Sequence, residues 1–280
     1  LRACRALEAR GFSLSVLPVD GQGHLDPDDV RAALREETVL VSLMRANNEV
    51  GTLQPVAEVG RLLAGHPATF HSDAVQAVGH LPVDVGALGV DLLSLSAHKF
   101  YGPQGVGALY VRDEALLAPL LHGGGQERGL RSGTENVAGI VGLGAAAELA
   151  AGALPGSARR LAALRDRLID GVLDRVQGSH LVGAPGPGRL PGSASFCFAG
   201  AAGESVLLKL DVQGVCASTG AACSAGKLDP SHVLLAMGLG RELANGSLRL
   251  TLGRGTSEHD VERVLELLPE AVAQARALGF

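Results

Sequence analysis

Apolar positions along the chain fall into two alternating rhythms. Short runs rich in Val, Leu and Ser at 13–18, 39–44, 68–72, 91–96 and 105–111 are bounded by Gly, Pro and Asp, and they predict strands. Between them stand helical patterns: Leu1, Cys4 and Leu7 on one face, closed by Gly11; a segment opened by Asp26-Pro27; another after Pro55. A long helical zone is expected from 135 to about 177, broken by "GALPGS" at 152–157. Beyond it the spacing loosens into strand 193–198, helix 204–211, strand 214–217, helix from Pro230, strand 247–252 and a closing helix over 257–278.

Strand and helix in alternation predict an α/β fold, a mostly parallel sheet with helices on both faces. The looser second part predicts a smaller α+β unit. A domain boundary is expected near Pro155, giving a large domain over 1–154 and a small C-terminal domain over 155–280. In parallel sheets of this type ligands bind beyond the carboxyl ends of the strands.

At 280 residues and 46% hydrophobic, the chain can bury a sizeable core, so disordered and fibrous classes are excluded. Glycine is 39 of 280 without a collagen period, which points to tight turns and backbone-lined sites. The net charge of -5 comes from interspersed charges with no basic block, which argues against nucleic acid as a partner. The most apolar stretch, 137–147, is too short to span a bilayer and runs into Glu148, and no signal pattern opens the chain. A soluble, cytoplasmic protein is expected. Its four cysteines form no C-x-x-C pair and its histidines are spread apart, so no metal site is signalled and reduced thiols are the default. The chain opens at Leu1 already inside a helical pattern, as expected of part of a longer protein.

The stretch "DLLSLSAHKFYGPQGVGALY" at 91–110 changes this picture, because an apolar strand runs directly into His98 and Lys99 and then into closely spaced glycines. A lysine there is expected to be partly desolvated, and burial lowers the pKa of an amine toward nucleophilic, Schiff-base use. The preceding strand ends in Asp73, with Gln76 one turn later, so an amine and a carboxylate should face one crevice. Pyridoxal phosphate needs such a set: a lysine for its aldehyde, an acid to keep its pyridine nitrogen protonated, and donors for its ring oxygen and phosphate. Gln76 and the "NNEVG" loop at 47–51 offer amides, and Ser96 and His98 can reach phosphate oxygens.

The segments "MRANNEVGTLQPV", "HSDAVQAVGHLPVDV", "SAHKFYGPQGVGALYVR", "HGGGQERGLRSGTENVAGIVG" and "STGAACSAGKLDPSHVLLAMG" together resemble, along essentially the whole chain, the cysteine desulfurases of iron-sulfur assembly and nitrogen fixation, within the class V aminotransferases. The resemblance implies the fold type I of pyridoxal phosphate enzymes. It implies that Lys99 binds the cofactor aldehyde, Asp73 pairs with the pyridine nitrogen, Gln76 and Asn48 neighbour the ring oxygen, and Ser96 and His98 contact the phosphate. Thr134 resembles the threonine that reaches the phosphate in the other subunit, so a homodimer with a shared site is expected. Arg249 resembles the arginine that holds the substrate carboxylate, with Arg254 as the fallback and Asn48 as a second substrate contact; a guanidinium suits the carboxylate role. The family's amino-terminal phosphate turn and ring-stacking histidine have no counterpart in this sequence.

Cys223 lies in "ASTGAACSAGKLDP", where small and polar neighbours favour an exposed, reactive thiol over a buried packing residue. It is the candidate nucleophile: it would take sulfur from L-cysteine as a persulfide, release L-alanine, and pass the sulfur to an acceptor or scaffold protein. Cys197 and Cys216, both in expected strands, are expected to pack, Cys4 lies on the first helix, and none of the three matches a functional position of the resembled family. His71, two residues before Asp73, reads as a core histidine with a backbone partner more than as a catalytic group. "HGGGQERG" reads as a connector near a dimer interface rather than a phosphate loop, and His232 as a helix-start or surface residue. A selenocysteine lyase, another lyase or aminotransferase of the same fold, and an inactive scaffold remain as alternatives.

Overall fold

The architecture is that of a computed structural model, which describes residues 1–113, 116–220 and 229–278. The first sheet has the order β1 (Leu40–Met44), β2 (Thr69–Asp73), β3 (Leu92–Ser96), β4 (Gly107–Val111). β1, β2 and β3 are parallel, with Met44 beside Asp73 and Asp73 beside Ser94, whereas β4 returns antiparallel with Gly107 opposite Ser96. Side chains on one face, among them Phe70, Leu93, Val41 and Leu95, meet α2 (Pro27–Ala33), α3 (Val56–Leu62) and α4 (Val85–Leu88) in one apolar cluster. Asp26 caps α2 with its side chain on the Asp28 amide, as the Asp-Pro signal implies. On the opposite face, where helices are also expected, Leu40 and Leu109 are 47% and 45% exposed and Ser42 is exposed.

Two expected strands do not form. Residues 13–18 are not a strand, and Val16 is exposed; no described strand lies beside them to complete a ladder, without which extended chain is not a strand. Residues 214–217 likewise stay irregular, and only Ser218 bridges to Arg249.

α1 (Arg2–Glu8) buries none of its residues, whereas α5 (Val137–Arg175) joins the two halves of the chain and is unbroken across 152–157. The expected break at Pro155 is therefore absent. A proline inside a helix removes one backbone hydrogen bond and crowds the preceding turn, and here packing overrides that cost: Ala146 joins an apolar cluster with Ala97 and Phe100, and Leu161, Leu164, Leu168 and Val172 join another beyond it. By length and composition α5 could cross a bilayer, longer than the 137–147 stretch suggested. The burial of its second half places that part in the protein's own core.

The second sheet is antiparallel, with β6 (Ser193–Phe198) between β5 (Ser179–Leu181) and β7 (Ser247–Thr251). β6 is buried at every position, because α5, α6 (Gly203–Val212) and α9 (Glu258–Ala277) close a core around Phe196, Phe198, Leu210, Leu248 and Leu268. α9 begins with a capping box between Ser257 and Asp260. Two short helices, α7 (His232–Ala236) and α8 (Arg241–Asn245), complete this half.

Candidate active site

Three parallel strands end at one edge of the first sheet, and each end carries candidate chemistry. β2 ends in Asp73, which is half-buried and accepts from the Val75 amide at 2.9 Å through one oxygen. β3 ends in Ser96, whose hydroxyl lies 2.8 Å from His98 Nδ1. A single 3-10 turn, Ala97–Lys99, then delivers Lys99. Asp73 pairs with Ser94, so Asp73, Ser94 and Ser96 point from the same face of the sheet. The amine and the carboxylate therefore do belong to one edge. Gln76 lies in the turn that follows Asp73.

Two contacts lock these turns together. His80 Nε2 donates to the Lys99 carbonyl at 3.1 Å. Gly79, at φ +80, lets Phe100 approach so closely that a Cβ there would lie 2.6 Å from the Phe100 Cβ. Lys99 itself is exposed, contrary to the expected partial desolvation: the turn projects residues 98 and 99 outward between buried Ala97 and buried Phe100. Its amine has no hydrogen-bond or ion-pair partner among the described residues.

His71 does not use a backbone partner. Its Nδ1 is 2.8 Å from Ser42 Oγ on β1 and its Nε2 is 2.8 Å from Ser94 Oγ on β3, so it ties three strands together on the face that bears Asp73. Burial lowers its pKa below the ordinary value, while the nearby Asp73 charge opposes the shift.

β1 leads into the 47–51 turn. Asn47 Oδ1 accepts from the Glu49 and Val50 amides at 2.8 and 3.0 Å, an arrangement typical of Asn in turns. The carbonyl of Asn48 accepts from Arg249 Nη1 at 2.5 Å, which brings the second sheet to the edge of the first. The Nε of Arg249 is buried without a partner among the described residues. Arg254 goes elsewhere: its guanidinium lies 4.4 Å over the Tyr101 ring and its amide donates to the Tyr101 hydroxyl at 2.6 Å.

Thr134 stands outside this edge, exposed in the connection from β4 into α5, after a 3-10 turn at Glu127–Gly129. Cys223 lies outside the described residues. Cys197 is buried, and burial pushes its thiol up to about 12, in keeping with a packing role. Cys216 is exposed rather than packed, since the strand expected around it does not form. His232 is exposed at the start of α7.

The "NNEVG" turn matters for its acid as well as for the amides that the sequence pattern points to. Glu49 is 7% exposed, accepts from the Ser231 hydroxyl, and is pushed above the usual carboxylate range by burial. A carboxylate set in a turn between apolar runs was the available signal. His80 carried no local signal, since its partner is a backbone carbonyl.

Residues 1–264 match the aminotransferase class V family. The chain is 51% identical over 279 residues to the cysteine desulfurase IscS of Methanosarcina thermophila, covering all of this chain and 69% of that protein. It is 48% identical over 272 residues to an IscS-like cysteine desulfurase of Mycobacterium tuberculosis, covering 96% of this chain and 69% of the relative. Among solved structures, a NifS-like protein superposes with a TM-score of 0.89 at 38% identity, over 98% of this chain and 72% of its own. The protein SspA, solved in complex with cysteine, superposes with a TM-score of 0.74 at 36% identity, over 90% of this chain and 69% of its own.

Proposed function

The chain belongs to the class V aminotransferase family and is a pyridoxal phosphate-dependent cysteine desulfurase, and from that premise we propose how its residues divide the work. The donor set at the sheet edge fits the cofactor: a primary amine and a half-buried carboxylate oxygen that have no partner among the described residues, and a paired hydroxyl and imidazole. Lys99 would hold the aldehyde, Asp73 the pyridine nitrogen, Gln76 and Asn48 the ring oxygen, and Ser96 and His98 the phosphate. The bound cofactor supplies an electron-withdrawing ring that acidifies the substrate α-carbon.

Arg249, fixed by the Asn48 carbonyl, orients L-cysteine by its carboxylate. Arg254 is committed to Tyr101, which favours Arg249 for this role. The Lys99 amine would carry the proton at the substrate α-carbon. The Cys223 thiolate attacks the substrate sulfur. A sulfur-sulfur bond forms as the carbon-sulfur bond breaks, its electron pair stays with the substrate carbon, and that carbon takes a proton. L-cysteine and a thiol thus become L-alanine and a persulfide, with no external oxidant.

The persulfide is handed to an acceptor or scaffold protein for iron-sulfur or thiolation pathways in the cytoplasm. The working unit is a homodimer in which Thr134 completes the phosphate site of the second copy. Val137, Ile140 and Val141, exposed at the start of α5 just after Thr134, support that reading, since apolar patches mark interfaces. The chain divides into a cofactor unit over 1–154 and a smaller unit over 155–280.

The observation that carries this assignment is the convergence of Asp73, Ser96, His98 and Lys99 at adjacent ends of parallel strands. Borohydride reduction of the protein after incubation with pyridoxal phosphate should fix the cofactor on the peptide bearing Lys99. A label on Lys209 or Lys227 instead would overturn the assignment.

A further inference from the structure

Glu49 is nearly buried, yet none of the proposed steps uses it. Its carboxylate lies between two stems of the chain. On one side it accepts from the hydroxyl of Ser231, which caps α7 by accepting from the Val233 and Leu234 amides at 3.1 and 3.4 Å. On the other it abuts buried Gly220, where a Cβ would come within 3.1 Å of Glu49 Oε2. Gly220 is tied to β7 by its amide, 3.4 Å from Ser247 Oγ, and Ser218 pairs with Arg249 through backbone hydrogen bonds of 2.6 and 3.1 Å. Gly220 and Ser231 flank residues 221–228, which contain Cys223, and the residue before Glu49 holds Arg249 through its carbonyl.

We propose that Glu49 is a positioning residue for sulfur transfer: it tethers one stem of the Cys223 segment, at Ser231, to the turn that places Arg249, and packs against the other stem at Gly220. One side chain then sets the thiol's points of attachment and the substrate's carboxylate anchor against the same piece of backbone. The role is mechanical, through the hydrogen bond from Ser231, and not recognition of the substrate carboxylate. Glu49 makes no ion pair with Arg249 among the described residues. The inference rests on Cys223 as the sulfur acceptor.

The test uses the cofactor-loaded protein and its Glu49→Ala, Glu49→Gln and Ser231→Ala variants, with L-cysteine as probe. Misplacement of a reacting group by an ångström is enough to slow a step strongly, so Glu49→Ala and Ser231→Ala should slow sulfur addition to Cys223 by about tenfold or more in a single turnover. Cysteine affinity should stay within about threefold in both, because the carboxylate anchor is untouched. Glu49→Gln, which still accepts from Ser231, should restore the rate. Hydrogen exchange should quicken at the amides of Gly220, Val233 and Leu234 in Glu49→Ala while β6 stays protected. A wild-type rate in Glu49→Ala, a Glu49→Gln variant as slow as Glu49→Ala, or loss of protection spread through β6 would each overturn the inference. Cys223→Ala separates the layers: if it still gains sulfur at another site, the acceptor assignment fails and this inference with it, whereas a silent Cys223→Ala upholds that assignment and leaves the Glu49 variants to decide the tether.

Discussion

The two sheets place their side chains in opposite ways. In the antiparallel sheet the central strand β6 is buried at all its positions, and its neighbours exist to fill space around Phe196 and Phe198. In the first sheet one face joins an apolar cluster with three helices. The other carries the hydrogen-bonded row Ser42, His71 and Ser94 and leads to Asp73, Ser96 and Lys99 at the strand ends. A strand that gives both faces to a core has no side chain left for chemistry, whereas a strand with one polar face can hold a row of donors and acceptors in register. The second sheet enters the site only at its margin, through Arg249 on β7.

That contrast can be broken from either side. The largest effect is expected at Lys99: Lys99→Ala should lower desulfurase turnover by about a thousandfold or more, since the covalent anchor and proton carrier are both lost, with an unchanged thermal midpoint. A thermal loss would mean that Lys99 serves the fold. Next is Phe196→Ala, expected to cost about 3–5 kcal/mol of stability by opening a cavity in the closed sheet, as read by chemical denaturation. The matched change Leu109→Ala, on the open face, should stay within about 0.5 kcal/mol in the single chain. Equal losses at the two positions would erase the distinction between the sheets.

Smaller effects sharpen the comparison. Removing the cap with Ser257→Ala should cost about 1 kcal/mol, confined to α9 and its core. His71 supplies a pH test. Its folded pKa is depressed by burial, so as pH falls below about 6.5 the unfolded chain takes up the proton first. The stability it contributes is full above that value and is lost as pH falls through the depressed folded value. His71→Gln should flatten that part of the stability profile. A profile identical to wild type would show that the imidazole titrates freely.

Element types along the first half were legible because each is decided locally. Asp26-Pro27 opens a helix, and the apolar runs before Asp73 and Lys99 end at the residues that matter. The misses follow from partners distant in sequence. Residues 13–18 have the composition of a strand but no described neighbour to pair with, and Pro155 looks like a breaker until packing on both sides of it is seen. The exposure of Lys99 was missed for a related reason. Apolarity of β3 describes the strand, and the 3-10 turn after it decides where the amine emerges.

By itself the sequence determined the chemical inventory and its order along the chain: a lysine and an acid at successive strand ends, amides in a turn before them, an arginine and a cysteine far downstream. Residue types and local spacing are properties of the chain; they point to aldehyde-cofactor chemistry, and the resemblance of five segments to cysteine desulfurases names the reaction. Only the tertiary structure decided that Arg249 meets the Asn48 carbonyl, that Arg254 lies over Tyr101 instead, and that Glu49 is enclosed between Gly220 and Ser231. Those contacts join residues separated by long stretches of chain, and they are set by how the two sheets and α5 bury their apolar faces together.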